Sequence, residues 1–210
     1  MVDVWYLNTK NISPLDVTNA LGLLPEEMMN EIKRFRNHED RRLKLFGKMI
    51  VRKYQALLNG KFSWSNWLTT AEGKPLYKGG KEFNISHSGD FVAVAFSDEK
   101  VGIDIEKCAE FDIDAITDYL HVDEKKYIHA SKNVSDAFFT VWTRKEAYLK
   151  ARGIGIVQGL NNENCLQSCI ETSETWFLTS LALIPNYKLA LCSKMAQTNI
   201  EKRELNLTEF

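Results

Sequence analysis

Three short β-rich segments in the middle of the chain constrain the fold more than any other feature. They read FNIS, FVAVAFS and KVGIDIE, and the turn signals HSGD and SDE separate them. Short runs of β-branched and aromatic residues between such turns are typical of strands. The three segments therefore predict an antiparallel meander.

Long helical patterns lie on both sides of this meander. Before it, apolar residues recur at spacings of three or four, at Leu43, Phe46, Ile50, Tyr54 and Leu57. This periodicity predicts an amphipathic helix that ends at Gly60, where glycine can take the left-handed conformation of a helix end. After the meander, a second long helix is predicted over residues 135–151, with Gly153 as its end.

The other segments complete an α+β pattern. VDVWYL predicts an opening strand, a helix is expected from Pro25 to about Arg36, and the glycines and Pro75 of EGKPLYKGG predict turns or an extended loop. TWFLTSLALI and YKLALCS predict a returning hairpin. Helices followed by strands, twice over, predict an α+β chain in two halves that meet near residue 100.

Composition narrows the class of protein. With 44% hydrophobic and 26% charged residues, the chain resembles an ordinary soluble globular protein. It has no apolar run of the roughly 20 residues that would span a bilayer, and no leader peptide is evident, so we expect a cytoplasmic protein without a membrane partner. A net charge of −1 gives no overall attraction to nucleic acid.

The charge is unevenly distributed along the chain. Residues 33–53 contain nine Lys or Arg residues and two acids. One interpretation is a solvated helical face, on which the long basic side chains cover apolar neighbours. The other is a binding site for an anion or an acidic partner.

Two acidic residues interrupt the apolar VGIDIEK segment. On a strand, Asp104 and Glu106 point to the same face while Ile103 and Ile105 point to the other. Two neighbouring carboxylates repel each other unless a cation lies between them, and Mg²⁺ is commonly held by one or two carboxylates together with substrate phosphates. The alternative is the exposed face of an edge strand.

A third acid lies on the second long helix. Trp142, Glu146 and Lys150 are spaced four apart and therefore share one face. Glu146 and Lys150 form either a simple intrahelical ion pair or part of a phosphate site, in which Glu146 completes the metal ligands and Lys150 adds positive charge.

His87 lies between Ser86 and Ser88 at a predicted strand end. It is either a turn residue bonded to the backbone or, with the serine hydroxyls, part of a phosphate cradle. No G-x-S-x-G pattern is present, so a hydrolytic serine is not indicated.

Four motifs occur together in a specific order: GKP at 73–75, FNISHSG at 83–89, GIDIE at 102–106 and FFTVWTRKEAYLK at 138–150. This combination resembles the 4'-phosphopantetheinyl transferases, specifically the larger, surfactin-type class that primes carrier proteins. The resemblance runs from about residue 24 to residue 192.

The resemblance implies a fold and a site. It implies two similar α/β halves about a pseudo-twofold axis, residues 1–100 and 101–210, with Mg²⁺ and the substrate coenzyme A in the cleft between them. Asp104, Glu106 and Glu146 would hold the metal. The implied coenzyme A contacts are Lys74, Pro75, Ser86, His87, Lys145 and Lys150.

The resemblance also implies a reaction and partners. Phosphopantetheine would be transferred from coenzyme A to a serine of an apo acyl or peptidyl carrier protein, releasing adenosine 3',5'-bisphosphate. Asp104, Glu146 and Lys150 would be catalytic, with Glu146 as the candidate proton acceptor. A monomer is expected. The carrier would belong to fatty-acid, polyketide or peptide synthesis.

The chain departs from the family pattern in one place. LPEEMMNEIKRF has Met28 and Glu31 where the family often has lysines that hold the 3'-phosphate. Substitutes are expected in the basic stretch, first Arg41, Arg42 and Lys44, with Arg36 behind them. Phe111, Ile113 and Tyr119 are predicted either to form a docking surface for the carrier protein or to lie in the core.

Two other functions remain open on the residues alone. A metal-dependent phosphatase or phosphodiesterase could use the same three acids. A non-enzymatic module that binds through its basic helix would explain residues 33–53 but not the acids.

Overall fold

The structure is a computed structural model that describes residues 1–71, 73–110, 113–154, 160–196 and 199–210. The helices in these ranges are α1 (Pro14–Leu21), α2 (Glu26–Lys33), α3 (His38–Asn59), α4 (Asp114–Thr117), α5 (Val122–Ala130) and α6 (Val134–Arg152). The strands are β1 (Val2–Asn8), β2 (Trp67–Thr69), β3 (Pro75–Tyr77), β4 (Glu82–Ser88), β5 (Phe91–Ser97), β6 (Val101–Lys107), β7 (Cys169–Glu171), β8 (Thr175–Ser180), β9 (Tyr187–Ser193) and β10 (Ile200–Leu205). The architecture is α+β, as predicted.

The first sheet contains β10, β1, β5 and β4, in that order. β1 is parallel to β10, whereas β5 is antiparallel to both of its neighbours. Along β5, Val92, Val94 and Phe96 pack in a core that includes the apolar face of α3, while Ala93 and Ala95 pack in a second core. Because both faces of this strand are buried, its sequence is apolar throughout instead of alternating with polar residues.

The second sheet contains β6, β9, β8 and β7, all antiparallel. α6 covers one face of it, where Ala147 and Tyr148 pack in one cluster with Trp176. On the other face, Ile103 belongs to the same core as Ala93 of the first sheet. The two sheets therefore share a central core, and each carries a long helix on its outer face.

The two sheets meet where β4 lies beside β6. Side chains at every second position of β4 accept hydrogen bonds from the β6 backbone: Asn84 Oδ1 from the N–H of Ile103 (2.9 Å), Ser86 Oγ from that of Ile105 (3.3 Å) and Ser88 Oγ from that of Lys107 (3.1 Å). We call this contact the seam.

The seam corrects the predicted meander. β4 and β5 pair as expected, but β6 pairs with β9 and begins the second sheet. The polar side chains of β4 satisfy the backbone N–H groups on one edge of β6, so no strand partner is needed there. The turn signals between the three segments therefore predicted the strands correctly and their pairing incorrectly.

Most other local predictions are confirmed. The opening strand, both long helices and the β8–β9 hairpin are present, and Gly60 and Gly153 end their helices with positive φ angles of 71° and 72°. The helix expected to reach about Arg36 ends at Lys33. The EGKPLYKGG segment is not only loop, because β3 pairs there with β2.

The division into halves at residue 100 stays a prediction. Most of the first sheet comes from residues before this point, and the whole second sheet comes from residues after it. However, β10 returns from the end of the chain to pair with β1. The last strand therefore packs with the N-terminal half.

Candidate active site

A glycine brings strand β6 directly against helix α6. A Cβ atom built on Gly102 would lie 2.1 Å from the backbone oxygen of Ala147 and 2.4 Å from the backbone nitrogen of Ala151. Only a residue without a side chain permits this approach. The close contact brings the acids of β6 next to the polar stripe of α6.

A cavity of about 320 Å³ lies where the seam meets α6. It is lined by Ile85, Ser86, His87, Asp104, Glu106, Trp142, Glu146 and Lys150. The structure therefore brings together three predicted metal ligands, two predicted phosphate contacts from β4 and the Trp142–Lys150 stripe. Their convergence from three separate elements favours a binding site over separate surface features.

Asp104 is the most enclosed acid of this cavity, with 2% of its surface exposed. Its Oδ1 accepts hydrogen bonds from the Ser86 hydroxyl at 2.8 Å and from the Lys150 ammonium at 2.5 Å. Its Oδ2 is buried and has no partner among the described residues. Burial raises the pKa of Asp104, which Lys150 and Ser86 oppose by favouring the charged form.

Glu106 is held by the hydroxyl of Ser88, which donates to its Oε2 at 2.7 Å. The Trp142 ring lines the same cavity. Burial and the neighbouring Asp104 carboxylate raise its pKa. The serines at alternate positions of β4 thus orient the two acids at alternate positions of β6.

Glu146 faces these two acids from α6. Only 6% of its surface is exposed, and its Oε1 is buried without a partner in the described part of the chain. Burial raises its pKa to about 7, and Asp104 and Glu106 add to the rise while Lys150 opposes it. Three acids and one lysine thus line the cavity, which leaves its negative charge incompletely compensated.

The donor set fits a hard divalent cation. Three carboxylates match the oxygen ligands that Mg²⁺ prefers, and two of them have a buried oxygen that finds no partner in the described ranges. As placed, no three His, Cys, Asp or Glu side chains in the described ranges already surround a common ion position. One reason is that the Asp104 carboxylate is already paired with the Lys150 ammonium. Metal binding would require these side chains to rotate towards a shared centre.

The raised pKa of Glu146 predicts a pH-dependent stability of the metal-free protein. The pKa of Glu146 is about 7 in the folded protein and would be near 4.5 in the unfolded chain. Its contribution to the free energy of unfolding is therefore fully present below pH 4.5 and is lost as the pH rises through 7. Glu146→Gln, which cannot ionise, lacks that loss. As the pH rises from 4.5 through 7, the free energy of unfolding of this variant should therefore increase relative to that of the wild type, by on the order of 3 kcal/mol.

Urea unfolding in chelator at several pH values measures this difference. Glu26→Gln, an acid of the exposed first turn of α2, is the matched control and should give a curve parallel to the wild type. A Glu146→Gln curve that also stays parallel would contradict the assignment of the raised pKa.

His87 lies between two cationic groups. Burial lowers its pKa, and the positive charges of Lys44 and Lys150 lower it further. The imidazole is therefore neutral near pH 7, and it can donate one hydrogen bond and accept another. An anion placed among these three side chains would receive favourable interactions from all of them.

A second cavity of about 360 Å³ adjoins the first, because Ile85 and His87 line both. Its other lining residues are Met28, Glu31, Lys44, Lys48, Trp67, Thr69, Gly73 and Pro75. The predicted contacts His87, Lys44 and Pro75 are therefore brought together here. We call the two adjoining cavities the cleft.

Lys48 and Trp67 line the cleft, although the sequence patterns did not indicate them as site residues. The Lys48 ammonium lies 3.6 Å from Glu31 Oε2 and 4.9 Å from the centre of the Trp67 ring. The signal that could have found Lys48 is its position one helical turn after Lys44 on the same face of α3. Met28 and Glu31, the residues that depart from the family pattern, line the same cavity.

Lys74 ties the β2–β3 hairpin to the active-site elements. Its ammonium donates to the backbone oxygens of Val101 at 3.3 Å and Lys150 at 3.2 Å. It lines a separate cavity of about 350 Å³, which Pro75 also lines. Burial lowers its pKa. As placed, this ammonium joins the start of β6 to the end of α6, and it does not line the cleft.

Lys145 is placed away from the cleft, although it is adjacent to Glu146. Its ammonium is fully buried and pairs with Glu124 Oε2 at 2.9 Å. Successive residues of a helix point about 100° apart, so Lys145 faces α5 while Glu146 faces the cavity. The predicted coenzyme A contact of Lys145 is therefore not supported by its position.

Arg41 and Arg42 also lie outside the cleft. Both line a cavity between α1, α2 and α3, and the Arg41 Nε donates to the backbone oxygen of Phe35 at 2.6 Å. Arg36 is exposed in the link between α2 and α3. Of the basic residues predicted to hold the 3'-phosphate, Lys44 is the one that the structure places in the cleft.

Two family models match adjoining parts of this chain. A family model described as 4'-phosphopantetheinyl transferase, N-terminal, matches residues 11–99. A second, described as the 4'-phosphopantetheinyl transferase superfamily, matches residues 100–192. The second match contains all three acids of the cavity, and the first contains Ser86 and His87.

Three curated relatives match most of the chain. The 4'-phosphopantetheinyl transferase gsp of Aneurinibacillus migulanus is 29% identical and aligns with 100% of this chain and 94% of its own. The transferase psf-1 of Bacillus pumilus is 28% identical, with 87% of each chain aligned. The transferase Sfp of Bacillus subtilis strain 168 is 25% identical over 82% of this chain and 83% of its own. The chain belongs to the 4'-phosphopantetheinyl transferase superfamily and is an enzyme of its larger, surfactin-type class.

Proposed function

We propose that this enzyme transfers the 4'-phosphopantetheine group of coenzyme A to a serine of an apo acyl or peptidyl carrier protein with the help of Mg²⁺. The observation that carries the proposal is the cavity in which Asp104, Glu106 and Glu146 meet Lys150 and His87. The competing phosphatase and binding-module hypotheses find no support among the relatives.

The metal would be held by Asp104, Glu106 and Glu146. When bound, it would supply positive charge to the diphosphate of coenzyme A and thereby favour displacement at phosphorus. The serines of β4 support this role because Ser86 and Ser88 hydrogen-bond Asp104 and Glu106 and so fix the direction of both carboxylates.

The reaction exchanges one phosphorus–oxygen bond for another. The serine oxygen of the carrier forms a bond to the phosphorus that bears pantetheine, and the bond from that phosphorus to adenosine 3',5'-bisphosphate breaks. Glu146 is the candidate acceptor of the serine proton, because its carboxylate lines the cavity and its Oε1 has no hydrogen-bond partner among the described residues. Lys150 is positioned to stabilise the negative charge that develops on the leaving phosphate.

The adjoining cavity would hold the nucleotide end of coenzyme A. Lys44 and Lys48 supply cations there, His87 lies between this cavity and the acids, and Pro75 lines its wall. A ribose 3'-phosphate within reach of Lys44 would be stabilised by charge–charge attraction in a partly enclosed site. Lys44 is therefore our main candidate for the 3'-phosphate contact.

Charge reversal at Lys44 should raise the Michaelis constant for coenzyme A by at least about tenfold, because an attraction becomes a repulsion. The constant for 3'-dephospho-coenzyme A should change much less, since it lacks the phosphate. Steady-state kinetics of Lys44→Glu with both substrates measures the difference.

Arg41→Glu is the matched control for this experiment. Arg41 lies on the same helix but lines another cavity, so its reversal should leave both constants nearly unchanged. Equal effects of Lys44→Glu on the two substrates would contradict the Lys44 contact. An Arg41→Glu effect confined to coenzyme A would instead favour Arg41.

The carrier protein would approach from the side of α4 and α5. Tyr119, a predicted docking residue, is 64% exposed, whereas Ile113 packs partly buried against the core beside α5 and α6. Phe111, the third predicted docking residue, lies outside the described residues. Tyr119 is therefore the candidate that best supports docking, and the class of carrier remains a prediction.

Intact-protein mass spectrometry of apo carrier proteins tests the proposed function. Incubation with the enzyme, coenzyme A and Mg²⁺ should add one phosphopantetheine group, and a chelator should prevent the addition. A folded enzyme that modifies none of several acyl and peptidyl carriers would contradict the proposal.

Other expectations concern location and assembly. In the described ranges, no helix combines the length and apolar character needed to cross a bilayer. A cytoplasmic location, a monomeric state and the absence of nucleic-acid partners stay predictions, and gel filtration is the direct check of the monomer.

A further inference from the structure

The basic stretch of residues 33–53 serves two separate cavities. Lys44 and Lys48 line the cleft, whereas Lys33, Arg41 and Arg42 line a different cavity between helices. The proposed transfer reaction makes use of the first group only. The second group therefore calls for a separate explanation.

The second cavity has a volume of about 640 Å³ and lies where α1, α2 and the start of α3 meet. Its apolar wall consists of Ile12, Pro14, Val17, Leu21 and Ile32. Ile32 is fully buried, while Val17 and Leu21 are only partly covered by the protein. A cavity of this size with partly covered apolar walls can receive a small apolar group.

Basic side chains supply the rest of the lining. These are Lys33, His38, Arg41 and Arg42, and no acidic residue is among the described lining residues. The exposed acids in the first turn of α3, Glu39 and Asp40, are not part of the lining. The polar part of the cavity is thus suited to an anion.

Arg42 is the residue that points most directly to a ligand. Its Nε is buried and has no hydrogen-bond partner among the described residues, and its guanidinium forms no ion pair with them. A buried donor without a partner is costly, and a guanidinium matches a carboxylate in both charge and geometry. A carboxylate bound in the cavity would pair with the guanidinium, whose side chain would have to turn for its buried Nε to reach the ligand.

We propose that this inter-helix cavity binds an anionic amphiphile with a carboxylate head and a medium-length alkyl chain. The alkyl chain lies against Val17, Leu21 and Ile32, and the carboxylate pairs with Arg42. Removal of the chain's methylene groups from water favours binding, and more so as the chain lengthens. The site is independent of coenzyme A and of the transfer reaction.

Isothermal titration calorimetry with sodium octanoate tests this site. The full chain is used, in the absence of coenzyme A and of carrier protein. We expect saturable binding of one octanoate per chain, and at least tenfold weaker binding of both 1-octanol and acetate, because each lacks one half of the ligand. Arg42→Gln should weaken octanoate binding at least tenfold. Val17→Trp, which fills the cavity without changing its charge, should do the same.

Lys44→Gln is the matched control, because it removes a cation from the same helix but from the other cavity. It should leave octanoate binding unchanged. Circular dichroism establishes that each variant is folded, and the pair Arg42→Gln and Val17→Trp keeps the test valid if one of them is not.

Two results would overturn the proposal. The first is no octanoate binding to the wild-type chain, and a raised Michaelis constant for the carrier protein in Arg42→Gln would then make the cavity mouth a carrier contact. The second is binding that survives in both cavity variants, which would indicate non-specific adsorption.

Discussion

Asp104→Asn is expected to lower the rate of phosphopantetheine transfer by about 10³-fold or more, because it removes one full charge from the predicted metal site. Asn has nearly the same shape as Asp, so the core around this buried residue should be retained. The amide can still accept from Ser86 Oγ, but it cannot neutralise the Lys150 ammonium, which now bonds Asp104 at 2.5 Å. Single-turnover transfer followed by intact mass measures the loss.

Asp136→Asn provides the control for this prediction. Asp136 makes the same type of contact, an ion pair with Lys188 at 2.6 Å, but at the outer end of α6. Its replacement should change the rate by less than about twofold, as expected for an exposed ion pair. A folded Asp104→Asn variant with a rate within tenfold of the wild type would contradict the role of Asp104.

Gly102→Ala is expected to have the largest effect on stability. The new methyl group would fall within 3.0 Å of three backbone atoms of α6, two from Ala151 and one from Ala147. Backbone atoms cannot turn aside as a side chain can, so β6 must move away from α6. We expect a loss of about 3 kcal/mol, at the upper end for an overpacked core, and a melting temperature lower by around 10 °C.

The same substitution should also impair transfer. Asp104 follows Gly102 by two residues, so a shift of β6 separates it from Lys150 and Glu146. Gly22→Ala is the control, because its added methyl would meet only two carbonyl oxygens, at 3.3 Å and 3.7 Å, in a helix-compatible conformation. Melting curves that are equal for the two variants would show that β6 and α6 are not in the close contact described.

The sequence was most informative where the determinants are local. The spacing of apolar residues predicted α3 and α6, and glycine predicted where each ends. The partner of β6 could not be predicted in this way, because pairing depends on contacts between distant parts of the chain. The side-chain acceptors Asn84, Ser86 and Ser88 replace a backbone partner for β6, and no local pattern signals that function.

The same distinction holds for the candidate site. Strand and helix periodicity predicted that Asp104 would share a face with Glu106, and Glu146 with Lys150. The 3'-phosphate contact expected of Arg41 as a substitute in the basic stretch is not supported, because the oxygen of Phe35 accepts its Nε–H and the side chain lines another cavity. A long side chain can follow such a contact regardless of its helical face.

Titration of the metal-free enzyme with Mn²⁺, followed by electron paramagnetic resonance, tests the central claim most directly. The claim is that the acids at the seam form one divalent-metal site that acts on coenzyme A. We predict one bound ion per chain, tighter binding in the presence of coenzyme A, and loss of the site in Asp104→Asn and Glu146→Gln. Unchanged Mn²⁺ binding in both folded variants, or no binding to the wild type with coenzyme A present, would contradict it.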